Sequence, residues 1–210
     1  MVTGILREKH RWYLEKIIHD LVANGYKVRC CILNASDYGD PQNRKRLVLF
    51  AASHGVELPR IPPPTHGEAR HLLPRRTVRD AIGDLPQPSN PDTSEMIHNG
   101  APLYNTWHAR TSLSPGDANV VVLNPDEPAF TIRGGSTPPL HYQPGQDNRD
   151  EHNKYRCISL REMATLQSFP MDFKFWGSKR EQRKQVGNAV PIKLATAIAK
   201  SVHDSLTFVK

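Results

Sequence analysis

Residues 155–191 decide how this chain is read: Tyr155-Arg-Cys-Ile-Ser159-Leu-Arg-Glu162-Met-Ala-Thr-Leu-Gln-Ser-Phe-Pro170 and, after an intervening stretch, Gln185-Val-Gly-Asn-Ala-Val-Pro191. Ser159 and Glu162 form a capping box, in which the hydroxyl accepts from the amide of Glu162 and the carboxylate reaches back to the amide of Ser159. A short helix follows, with Leu160, Met163 and Ala164 on one face, and Pro170 stops it. Residues 185–191 read as a tight turn entering a second helix, Gly187 supplying the permissive backbone and Pro191 the first helical position.

Working outward, residues 10–24 have the spacing of an amphipathic helix, with Tyr13, Leu14, Ile17, Ile18 and Leu21 in one stripe expected to be buried and Gly25 as its stop. Residues 28–33 alternate as a strand with Val28, Cys30 and Ile32 on one side, and residues 47–52 are an unbroken apolar run, expected to be a strand buried on both faces. Residues 77–86 predict a short helix whose Val78, Ile82 and Leu85 share a face. Beyond Pro191, Ile192, Ala195, Ile198, Ala199 and Val202 predict a core-facing helical stripe. Residues 55–155 differ in texture, being rich in Pro, Gly, His and Asn, with short apolar runs at 119–123 and 129–132; residues 91–118 and 141–153 read as long loops.

A chain of 210 residues can bury one core with an appended lobe. Its net charge of +7 leans toward an anionic partner without requiring one. Three cysteines, two of them adjacent, give neither a disulfide framework nor metal-ligand spacing, and the histidines show no such spacing either, so no metal is expected. No apolar run reaches membrane length and no signal-peptide core is present, so a cytoplasmic location is expected. Residues 179–184 form a charge run that ordinarily marks a wet helix face.

Residues 34–46, Asn-Ala-Ser-Asp-Tyr-Gly-Asp-Pro-Gln42-Asn-Arg44-Lys-Arg46, lie between the two strands. Arg44 and Arg46 project from one side of an extended segment, an arrangement that can place one guanidinium on a phosphate and another on a base. The three strings together, in this order, resemble the cytosine-5 DNA methyltransferases: Asp-Tyr-Gly-x-Pro-Gln-x-Arg-x-Arg, then Arg-x-Ile-Ser-x-Arg-Glu-x-Ala-x-Leu-Gln-x-Phe-Pro, then Gln-x-Gly-Asn-Ala-Val-Pro. Val2 and Gly4 match the positions just after Glu-Asn in a further motif of that family.

The resemblance implies an α/β fold: the C-terminal part of a Rossmann-like methyltransferase with an irregular, mostly β and loop target-recognition lobe and an incomplete sheet. It divides the chain into a piece of the catalytic domain (1–54), the recognition region (55–155) and final motifs returning to the catalytic domain (156–210). It implies that Arg46 contacts the cytosine O2, Arg44 the DNA backbone beside it, and that Gln42 shapes the loop; these three, with Arg133 and Gly134, are the expected DNA-binding residues. Arg133 can read guanine in a groove or hold a phosphate or carboxylate with equal ease. Asn188, Ala189 and Val190 are expected beside S-adenosylmethionine, chiefly through backbone and packing. Double-stranded DNA is the implied partner, as in restriction–modification systems.

The chemistry of that family needs groups that are in part missing. A thiolate adds to carbon 6 of a flipped cytosine and a carboxylic acid assists at N3 before methyl transfer. The family's Pro-Cys and Glu-Asn are absent here, since Cys30, Cys31 and Cys157 each follow Arg or Cys. A Gly-rich cofactor loop is absent too, and two strands do not close a doubly wound core. The leading expectation is a cytosine-5 DNA methyltransferase polypeptide, inactive alone and completed by a separately encoded N-terminal half; the Met start favours an intact frame, and a truncated gene fits equally. The alternative is a non-catalytic DNA-binding module or pseudoenzyme. An orphaned sheet edge makes the isolated chain aggregation-prone in this reading.

Overall fold

The computed structural model describes residues 5–6, 8–85, 122–134, 140–142 and 155–207, with the short strands at 140–142 and 155–157 known by backbone alone. The expected loops at 91–118 and beyond residue 142, the apolar run at 119–121, Gly135, and residues 1–4 lie outside the described residues. Helix α1 (Glu8–Ala23) leads into strand β1 (Lys27–Asn34), a 3-10 turn (Ala35–Tyr38) and strand β2 (Lys45–Ala52). Helix α2 (Val78–Ile82), strands β3 (Leu140–Tyr142) and β4 (Tyr155–Cys157), and helices α3 (Leu160–Leu166), α4 (Lys179–Asn188) and α5 (Ile192–Thr207) complete the order.

The architecture is mixed α/β with small sheets. β1 and β2 pair antiparallel, Lys27 opposite Ala52 and Asn34 opposite Lys45, and β3 pairs antiparallel with β4. The expected strand forms, and the side of β1 that packs inward carries Leu33 with Cys31 beside it, whereas Ile32 is 51% exposed. Only Phe50 and Ala52 of β2 are buried, so that strand is covered on one face rather than two. A hairpin covered by one helix has a single wet-to-dry transition across it, and the apolar run of β2 cannot be buried twice.

The core is in two parts. Leu33, Ala35, Tyr38 and Leu194 close with Cys31, Val48, Ala197 and Ile198, seating the hairpin on α5. A larger cluster joins Val78, Ile82, Leu123, Ala129 and Ile132 to Ile158, Leu160, Met163, Ala164, Leu166, Phe175 and Val186. That cluster takes residues from 78–132 and from 158–186, so packing crosses the boundary expected at residue 155.

Local rules hold where the partners are near in sequence. Ser159 N donates to Glu162 Oε2 at 2.6 Å and Glu162 N to Ser159 Oγ at 3.1 Å, a cap worth about 1 kcal/mol. The same box recurs at Thr77 with Asp80 and at Ser178 with Glu181. The expected burial of two helical stripes does not hold. α1 has no buried residue, and Trp12, Tyr13, Ile17 and Val22 are exposed; among the described elements it packs chiefly on β1 of a two-stranded sheet. On α5 the buried positions are Leu194 and Ser205, with Ala199 exposed; the helix is turned so that its Leu194 side meets the hairpin. Among the described residues no helix is long and apolar enough to cross a membrane.

Candidate nucleic-acid interface

The loop between β1 and β2 is fastened from within. Gly39, at φ 89°, turns the chain after the 3-10 segment with His66 packed where a Cβ would stand; an L side chain there would be strained. Tyr38 Oη donates to Pro62 O at 2.8 Å, and burial pushes its pKa up to about 12. Arg75 grips Asp37 at 2.9 Å, and the amides of Thr65 and His66 donate to Asp37 O. The Pro63–Gly67 stretch therefore supports this loop. Burial also holds the His66 imidazole below its ordinary pKa, helped by Lys193 and Arg76.

From here the chain builds a polar knot among four segments distant in sequence. Gln42 is fully buried; its Nε2 donates to Leu166 O at 3.2 Å and Gln167 Oε1 at 3.1 Å, and its Oε1 accepts from Ile132 N at 2.8 Å. Gln167, equally buried, donates to Val186 O at 2.7 Å. Arg44 is 2% exposed and spans the gap: Nη1 donates to Ile132 O and Nη2 to Gly187 O, each at 2.6 Å. Burial, with Arg46 nearby, lowers its pKa to about 10, which leaves it charged at neutral pH. Nη1 and Nη2 offset the cost of burying the guanidinium by meeting carbonyls, while its buried Nε finds no partner.

Gly187 is not in a turn. It lies inside α4, and its lack of a side chain serves close approach: a Cβ would stand 1.9 Å from Gly134 N and 2.4 Å from the Arg133 carbonyl carbon. Gly134 reciprocates, its Cβ position lying 2.8 Å from Lys184 Cα. Pro191 precedes α5, its carbonyl accepting from Ala195 N at 2.9 Å. The charge run at 179–184 is only partly wet, since Gln182 and Arg183 are buried.

Above the knot opens a cleft of about 1050 Å³ lined by Asn34, Asn43, Arg44, Lys45, Arg46, Arg75, Thr131, Arg133, Gly134, Gly187 and Asn188. Ligand pockets run to about 1,000 Å³, so this one suits an extended ligand. Its ionisable lining is wholly cationic. Arg46 is half-buried, donates to Lys45 O at 2.9 Å, and has its pKa lowered by burial; Arg133 is exposed.

The structure thus gathers Arg44, Arg46, Arg133, Gly134 and Asn188 around one cleft, but not in equivalent roles. Arg44 lines the cleft and Gln42 does not, and both hold protein; where the resemblance implied a DNA-backbone contact for Arg44, its guanidinium donates to two backbone carbonyls. Val190 is 44% exposed and Ala189 half-buried, beyond the cleft lining. Sequence reasoning missed Lys45 and Arg75 in the lining, Gln167 in the knot, and Asp40, whose carboxylate takes the amides of Lys193 at 3.3 Å and Leu194 at 2.9 Å. One signal for Asp40 was present: Val190-Pro191 offers α5 no capping side chain of its own. Cys30 and Cys31 are half-buried, and burial pushes both thiols up, away from thiolate chemistry. Among the described residues no group of His, Cys, Asp and Glu could hold a metal ion.

The family of C-5 cytosine-specific DNA methylases matches residues 2–204. Type II methyltransferase M1.HphI of Haemophilus parahaemolyticus is 35% identical over 85% of this chain and 48% of its own length. Type II methyltransferase M.MthTI of Methanothermobacter thermautotrophicus is 34% identical over 98% of this chain and 64% of its own. The chain therefore spans about half to two-thirds of the curated relatives it matches. In fold it is similar to S. pombe Dnmt2 methyltransferase, with a TM-score of 0.56 at 14% identity over 98% of this chain and 65% of that one, and to the Entamoeba histolytica methyltransferase EhMeth, at 0.54 and 15% over 92% and 58%. With the arginine loop and the two later motifs brought together in one knot, a family match over residues 2–204, nearly the whole chain, makes this chain a member of the C-5 cytosine-specific DNA methylase family.

Proposed function

We propose that the chain is the C-terminal, target-recognising part of a DNA (cytosine-5-)-methyltransferase. The observation that carries the reading is the all-cationic cleft, in which Arg46 and Arg133 face a common space above the buried Gln42–Arg44 knot. Phosphates supply the affinity of such a surface and base edges the specificity. In this reading Arg46 donates to the O2 of a flipped cytosine, Arg133 beside Gly134 contacts a base edge or phosphate in a groove, and Lys45 and Arg75 neutralise the backbone. Arg44 and Gln42 fix where Arg46 and Arg133 stand.

The donor set at residues 188–190 fits one edge of an S-adenosylmethionine site: exposed Asn188 offers polar atoms and exposed Val190 an apolar contact, with Ala189 between. That cofactor supplies the methyl group when bound. This chain's own residues would bind DNA, orient the base and close one wall; the nucleophilic Cys and acidic Glu would come from a further segment, on the same or a separate polypeptide. The exposed apolar face of α1 and Ile32 supports such a complement, since it leaves Trp12, Tyr13, Ile17 and Val22 uncovered.

The test is to sequence upstream of the coding frame, co-express any Pro-Cys-bearing segment found there, and measure labelled methyl transfer from S-adenosylmethionine into duplex DNA. Transfer that needs both segments supports the reading. Complete catalysis by this chain alone would overturn the division of labour. The absence of any such segment in the genome would favour the non-catalytic DNA-binding module.

A further inference from the structure

Residues 188–192 are held from both sides by one loop. On the near side Arg44 Nη2 donates to Gly187 O at 2.6 Å. On the far side Asp40 accepts from the first-turn amides of α5, Leu194 N at 2.9 Å and Lys193 N at 3.3 Å. Asp40 is fully buried, and it is itself held: its amide donates to Ala35 O, and its carbonyl accepts from Gln42 N at 2.8 Å. Arg44 stands four positions after Asp40, and Arg46 follows two later. The carboxylate also faces charge from other elements, namely Lys193 and His66, with Arg76 beyond them. A buried carboxylate is retained against its desolvation only by such bonds.

We propose that Asp40 is a positioning residue that couples occupancy of the arginine loop to the setting of the turn at 188–190. The inference rests on the reading of the loop as a DNA contact and goes beyond it, because it assigns a role to a residue outside the cleft. Seating DNA, with backbone against Lys45 and a base against Arg46, restrains the loop. Asp40 passes that restraint to the first turn of α5, and Asn188 to Val190 are ordered before any cofactor arrives. The coupling is reciprocal by linkage, so a ligand on the turn also tightens the loop.

The experiment is site-resolved amide exchange on the full chain, free and with a mixed-sequence DNA duplex at low salt, in the wild type and in Asp40→Asn. The variant keeps the side-chain shape and one acceptor oxygen. In the wild type, exchange at Lys193 and Leu194 should slow by roughly fivefold or more on adding duplex, the low end of common coupling free energies. In Asp40→Asn the duplex should still bind while that slowing is lost. Binding with unchanged Lys193 and Leu194 amides, or a variant that responds as the wild type does, overturns the proposal and leaves the DNA reading standing. Failure of the duplex to bind at all removes both. Should the variant not fold, the wild type decides alone: slowing concentrated at Lys193 and Leu194 supports the tether, and slowing spread evenly along α5 overturns it.

Discussion

Gly187→Ala sets two physical rules against each other. By helix propensity alone, alanine inside α4 should stabilise the chain by about 1 kcal/mol. The structure demands the opposite sign. The new Cβ would stand 1.9 Å from Gly134 N, 2.4 Å from Gly134 Cα and 2.4 Å from the carbonyl carbon of Arg133, all of them backbone atoms. Nothing there can rotate away, so the 132–134 segment or α4 must move by more than an ångström. Overpacking of this kind costs about 1–3 kcal/mol, and the displacement also pulls Ile132 O or Gly187 O from the Arg44 guanidinium, removing a charged hydrogen bond worth about 1.5–3 kcal/mol. Set against the propensity gain, the net loss is about 2–4 kcal/mol, or roughly 5–15 °C in melting temperature at 2–4 °C per kcal/mol for a chain of this size. Differential scanning calorimetry of the full chain reads this directly. A variant that melts at or above the wild type would refute the close approach and the knot built on it.

Arg44→Lys should destabilise the chain by about 1.5–3 kcal/mol in urea unfolding, because one ammonium cannot reach Ile132 O and Gly187 O in opposite directions; an unchanged midpoint would refute the clamp. Arg46→Ala should leave the fold intact and abolish methyl transfer by the completed enzyme while most duplex affinity remains, lowering the salt slope of binding by about one at most; undiminished turnover removes Arg46 from the reaction. His66 titrates below its ordinary 6.5 in the fold. The unfolded chain therefore takes up the proton first, and stability falls as pH drops through 6.5 toward the folded value. His66→Gln should flatten that part of the stability profile, as read by melting temperature between pH 5 and 8. Asp40, raised by burial, acts with the opposite sign, in a window that opens at 3.8 and runs upward from there.

What was legible in the sequence was local. The Ser159–Glu162 box closes over four residues, and its bonds depend on nothing outside them, so its pattern sufficed. The Thr77–Asp80 box obeys the same rule. The amphipathic spacing of α1 was equally plain, but spacing says which residues would be buried together, not whether anything covers them; Trp12 and Tyr13 remain exposed. Gly187 was misread because glycine serves both left-handed backbone and close approach, and only the partner segment at Gly134 distinguishes them. Gln42 and Arg44 belong to a basic loop, and nothing in the loop itself announces that they are buried. Their burial follows from carbonyls at Ile132, Leu166 and Gly187, which lie some 90 to 145 positions away in the chain and leave no trace beside the loop.

The knot explains why residues far apart in sequence can serve one cleft. Arg46 stands two residues after Arg44, Arg133 one after Ile132, and Asn188 one after Gly187, so each proposed contact residue is a near neighbour of a group that Arg44 carries or bonds. Alternation along an extended segment sends Arg44 inward and Arg46 to the same side but nearer the mouth, so the inner arginine fixes the outer one. None of the four segments could hold this geometry alone: the loop lacks a regular ladder, the 129–134 segment is tied by the Gln42–Ala129 bridge and side chains, and α4 is only ten residues long. Exposed contact residues gain precision from locked neighbours rather than from their own packing. Two arginines that look interchangeable in the motif therefore divide the labour. The buried one sets position, and the exposed one is left free to meet a ligand.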